Sequence, residues 1–65
     1  MMRWKHVFDA SRNFPRYRDI YEAASACQAA GYKFMSYNGN IYFLEYREGR
    51  DPICHDTLIK TEELE

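Results

Sequence analysis

Residues 32–46, YKFMSYNGNIYFLEY, constrain this chain most, because they read as two strands around an Asn38-Gly39 turn. A two-residue type I′ turn needs positive φ at both central positions, and Asn followed by Gly tolerates this best. The turn sets a register that pairs Tyr37 with Asn40, Ser36 with Ile41, Phe34 with Phe43 and Tyr32 with Glu45. One face then carries Tyr32, Phe34, Ser36, Ile41, Phe43 and Glu45. The opposite face carries Lys33, Met35, Tyr37, Tyr42, Leu44 and Tyr46. The segment holds six of the eleven aromatic residues, so both faces are rich in apolar surface. The pattern leaves open which of them a helix covers.

A helix precedes the hairpin. Asp19 and Glu22 have the spacing of a capping box, in which the first carboxylate accepts from an orphan amide and the second reaches back. The run IYEAASACQAA that follows is rich in good helix formers, and Gly31 stands where a left-handed residue closes a helix. Pro15 is an alternative, earlier start. The buried stripe is read as Ile20, Ala23, Ala24, Cys27 and Ala30, with Tyr17 or Tyr21 on its flank. Such small side chains allow close approach to a sheet with large ones.

Residues 2–8, MRWKHVF, alternate Met2, Trp4, His6 and Phe8 against Arg3, Lys5 and Val7, the period of a first strand. Residues 9–15 have the composition of a loop, and Phe14 before Pro15 is turned away from helical dihedrals. Residues 47–52, REGRDP, read as a turn or loop. Residues 53–60, ICHDTLIK, read either as a short fourth strand or as a helical turn starting near Asp56. Residues 61–65 read as a frayed acidic tail. The expected fold is a single small α+β domain over residues 1–65, a β-α-β-β core with one helix on a short sheet and a possible fourth C-terminal strand. The first strand either lies parallel to the first hairpin strand, by the right-handed crossover rule, or sits beside the second.

At 65 residues the chain is one domain at most, and a domain of that size buries only about 60% of its unfolded surface. Two cysteines are too few for a secreted disulfide framework. Residues 1–10 include Arg3, Lys5, His6 and Asp9, which interrupt any export-signal core, and no run approaches the ~20 apolar residues of a membrane span. Together these features point to a cytoplasmic protein with reduced thiols. The net charge of −1 conceals a gradient. Arg3, Lys5, Arg12, Arg16 and Arg18 face only Asp9 in the first eighteen residues, whereas the last twenty-one are strongly acidic. Such ends mark a nucleic-acid face or attract each other, within one molecule or between two.

Few groups here are suited to catalysis. Cys27 falls on the buried helix stripe, where a free cysteine acts as a small hydrophobe. Cys54 and His55 are adjacent, so in a strand they point to opposite faces, and no oxyanion loop accompanies them. His6, Cys27, Cys54 and His55 are metal-ligand types without metal-ligand spacing. The sequence therefore predicts no catalytic residue, no metal and no cofactor.

The expected function is a non-enzymatic, regulatory protein–protein interaction module. Its contact patch is Met35, Tyr37, Tyr42, Leu44 and Tyr46, because aromatic residues and Met bury much area at interfaces and Tyr keeps a polar tip. That patch meets another protein, pairs with its own copy as a homodimer, or is covered by residues 53–59 folding back. The alternative is single-stranded RNA, with Arg3, Lys5, Arg12, Arg16 and Arg18 on phosphates and hairpin tyrosines stacked on bases.

Overall fold

Asn38 and Gly39 adopt φ of 51° and 81°, so the hairpin turn has the positive-φ geometry its sequence demands. In the computed structural model, which describes residues 3–10 and 17–65, strands β2 (Phe34–Tyr37) and β3 (Asn40–Arg47) flank this turn. Phe34 pairs with Phe43, Ser36 with Ile41 and Tyr37 with Asn40, as the turn dictates. Tyr32 does not extend the ladder to Glu45. Its amide instead closes the preceding helix by donating to Cys27 O at 3.2 Å.

That helix, α1 (Ile20–Ala30), begins at Asp19, whose carboxylate accepts from Glu22 N at 2.9 Å. Glu22 turns its own carboxylate towards Arg18, 3.7 Å away. Gly31, with φ 86°, ends the helix, and its amide satisfies carbonyls of the last turn. An earlier start at Pro15 falls outside the described residues.

The N-terminal segment departs from its alternating pattern. Trp4–His6 forms a single 3₁₀ turn, and only Val7–Asp9 (β1) pairs with a neighbour. The reason is tertiary, since Trp4 N donates to Glu65 O at 3.1 Å and the chain must bend to reach it. β1 runs parallel to β2, with α1 as the crossover, which resolves the two placements in favour of the first hairpin strand.

The last strand also differs in extent. The turn after β3 is only Glu48-Gly49, and β4 (Arg50–Lys60) takes in Asp51 and Pro52 as well as residues 53–60. Arg47 supports that turn by donating through Nε and Nη2 to Asp51 O, at 3.1 and 2.7 Å. The result is a small α+β domain with one helix on a four-stranded mixed sheet, in the order β1-β2-β3-β4. β3 and β4 slip register twice, near Tyr46 and between Tyr42 and Asn40. At the second slip Leu58 adopts φ 66° and the strand bulges outward.

The core lies between α1 and one face of the sheet. Ala23, Ala24 and Cys27 are fully buried against Met35 and Leu44, so small helix residues receive large sheet residues. Ile20 is only partly buried, and Ala30, expected inside, is exposed at the helix end. Phe8 fills the β1 side of the core between Tyr17 and Tyr32, with centroid separations of 6.2 and 6.0 Å.

Residues 61–65 are not a loose tail. Thr61–Glu63 forms a 3₁₀ turn, Thr61 N donates to Gly39 O at 2.9 Å, and Thr61 Oγ1 lies 3.2 Å from Ser36 Oγ. This turn ties down one end of the second sheet face, where Ser36 and Ile41 are fully buried. The acidic C-terminal segment and the basic N-terminal one thus meet in one molecule.

Candidate functional site

Met35, Tyr37, Tyr42, Leu44 and Tyr46 do share one face, but it is the face that α1 covers. Met35 and Leu44 are 0% and 2% exposed, and the three tyrosines pack partly buried around the same core. Met35 and Leu44, sealed under the helix, cannot touch a partner in the folded chain, and the three tyrosines form the partly exposed margin of the core. β4 does not fold back over them, because it extends the sheet in its own plane.

The opposite face is the one left open. Strand pairing aligns Phe34, Phe43 and His55 directly across β2, β3 and β4. The Phe34 and Phe43 rings are 5.4 Å apart and tilted by 57°, and Phe43 lies 6.3 Å from the His55 ring. Glu45 and Ile53 form the next cross-strand pair. Phe43 remains 38% exposed at the centre of this row, and no described helix or turn lies over it. Glu45 Oε1 and His55 Nε2 are 2.9 Å apart, with both side chains about half exposed. Such an exposed pair adds little stability, but it fixes where the imidazole sits.

Phe34 and Phe43 were already paired on this face by the hairpin register. The signal that they form a binding row was missed because the row needs His55: the Glu48-Gly49 turn alone would set Cys54 across from Phe43, and the register slip between Glu45 and Arg47 brings His55 there instead.

The basic residues are scattered. Arg12 and Arg16 lie outside the described residues. Arg18 projects beside Glu22 at the start of α1, while Arg3 and Lys5 are exposed on the N-terminal turn. The structure instead gathers Lys5, His6 and Lys33 around a cup at the β1–β2 end of the sheet, next to Tyr32 and Phe34. Sequence spacing gave no hint of this grouping, since Lys33 is brought to Lys5 only by parallel pairing.

The thiols are poorly suited to nucleophilic work. Cys27 donates to Tyr32 O and Phe34 O at 3.5 and 3.7 Å, and burial pushes its thiol up to about 12. Cys54 is half-buried at the α1–β4 seam, and burial raises it too. The thiolate is the reactive form, so both groups are held in the unreactive one. Tyr46 places its hydroxyl, buried and without a well-formed hydrogen bond, beside Cys27, and burial raises its pKa as well. Cys54 and His55 alternate across β4, with Cys54 towards α1 and His55 in the open row. Among the described residues, no three His, Cys, Asp or Glu side chains converge on a point where a metal ion would sit. No helix among them is long and apolar enough to cross a membrane. Comparison with protein-family models, with curated proteins and with solved structures returns no match to this chain.

Proposed function

We propose that this protein is a non-enzymatic interaction module that associates with a second copy of itself through the open half of its sheet. The observation that carries the reading is the cross-strand row Phe34, Phe43 and His55, on the part of the second sheet face that lies beyond the end where Ser36 and Ile41 are buried and Thr61 is tied down. Aromatic rings in register on a flat sheet bury much area at small entropic cost. A two-fold axis parallel to the strands and close to β3 brings the two Phe43 rings together and lays β2 of one copy over β4 of the other, so that Phe34 meets His55. An isologous interface of this kind is self-complementary. The free, protonated cysteines suit a reducing cytoplasm.

Light scattering and sedimentation over a range of concentrations test this. The expected result is a dimer that dissociates on dilution. Phe43→Glu abolishes it without changing the far-UV circular dichroism, since Phe43 is not a core residue. A chain that stays monomeric at every concentration overturns self-association.

A further inference from the structure

We infer that the cup at the β1–β2 end of the sheet is a binding site for a nucleotide unit, a planar base carrying a phosphate. The cup has a volume of about 420 Å³ and is lined by Lys5, His6, Gly31, Tyr32, Lys33 and Phe34. Small-molecule sites occupy roughly 300–1,000 Å³ and combine apolar walls with a few convergent polar groups.

Two kinds of group meet here. Lys5, His6 and Lys33 supply nitrogen donors, and among the described residues no carboxylate lines the cup. Lysine ammonium groups are point donors suited to phosphate oxygens. Gly31, Tyr32 and Phe34 complete the lining; Tyr32 packs with Phe8 on the α1 side and Phe34 with Phe43 on the other face, so a base stacks on one of the two rings, whatever its identity. Both rings are held by neighbours. Tyr32 packs on Phe8 with centroids 6.0 Å apart, and Phe34 on Phe43 at 5.4 Å. A ligand therefore meets surfaces that are already oriented and loses less entropy in ordering them.

The end of α1 is the feature that opposes an anion, since helix C-termini carry partial negative charge. Here Gly31 N and Tyr32 N donate to Gln28 O and Cys27 O at 3.0 and 3.2 Å, which occupies two of the free carbonyls. Lys33 follows immediately and offsets the remainder.

The site is distinct from the residues first read as nucleic-acid ligands. Of those that are described, only Lys5 lines it, and its aromatic residues are not the hairpin tyrosines 37, 42 and 46. It is complete in one molecule but shares Phe34 with the self-association row, so it is tested on the dilute monomer, with the oligomeric state monitored in parallel.

Amide chemical-shift titration with uridine monophosphate, with inorganic phosphate and with an oligo-uridine strand is the experiment. The expected result is saturable shifts confined to Lys5, His6 and residues 31–34. The monophosphate should bind on the order of tenfold more tightly than inorganic phosphate, because only it reaches the rings. An oligonucleotide that binds more tightly than the monophosphate, with steep salt dependence, identifies single-stranded nucleic acid as the source, whereas equal affinity identifies a free nucleotide. Lys5→Ala with Lys33→Ala weakens binding by an order of magnitude while the remaining amide spectrum is unchanged, and Lys33→Arg preserves it. Equal response to inorganic phosphate, shifts centred elsewhere, or no saturation by about 10 mM overturns the inference.

Discussion

Asp56 Oδ1 accepts a 2.8 Å hydrogen bond from Leu58 N and thereby holds a leucine in the left-handed region at the edge of the sheet. Thr57 completes the brace, donating to Ile41 O at 2.8 Å and accepting from Ile59 N at 3.3 Å. The two side chains build a bulge that displays Leu58 with 83% of its surface exposed. A residue with a Cβ pays about 1–2 kcal/mol to stand there. Leu58→Gly is therefore expected to stabilise the fold by about 0.5–1 kcal/mol, because the relief exceeds the extra unfolded-chain entropy of glycine. Thermal melting reads this as a rise of a few degrees in Tm, and a fall would show that the leucine side chain makes a stabilising contact.

Leu44 and Tyr46 test the reassignment of the tyrosine-bearing face to the core. Leu44→Ala should cost about 2–5 kcal/mol, enough to unfold much of a domain whose total stability is near the low end of the usual 5–15 kcal/mol. Tyr46→Phe should be neutral or stabilising, because it removes a buried hydroxyl that lacks a well-formed hydrogen bond. Urea midpoints distinguish the pair. A cheap Leu44→Ala would mean that α1 does not seal this face.

Stability should decline in alkali, and Cys27 sets where. Its thiol is raised by burial from 9.0 to about 12, so the folded state keeps a proton that the unfolded chain releases. The contribution is complete below about pH 9 and disappears as pH rises towards 12, and Cys54 and Tyr46 shift in the same direction. Urea midpoints measured at intervals from neutral pH upward should fall through this window, and Cys27→Ala should flatten the fall. Thiol labelling provides the companion reading: half-buried Cys54 reacts before Cys27 in the native protein.

Local signals were legible in the sequence and distant ones were not. Asp19, Gly31 and the Asn38-Gly39 turn each act through groups within a few residues, so the helix limits and the hairpin register follow from short-range chemistry. The first strand was overextended because its 3₁₀ turn answers to Glu65, at the far end of the chain. The choice of buried face could not be read, since Met35 and Leu44 on one side and Phe34 and Phe43 on the other satisfy period two equally. The candidate row shared that limit. Two of its rings were paired by the turn, and the third awaited the register slip between Glu45 and Arg47, which no glycine or other local residue type marks.

Pro52 has a consequence for the molecule in concentrated solution. β4 is the outermost strand, and there the chain lacks an amide hydrogen at residue 52 and bends away at Leu58. A newcomer strand finds only a short straight ladder between these two interruptions. The β4 margin of this sheet is thus a poor track for growth, and copies that collide there meet a template interrupted at both ends.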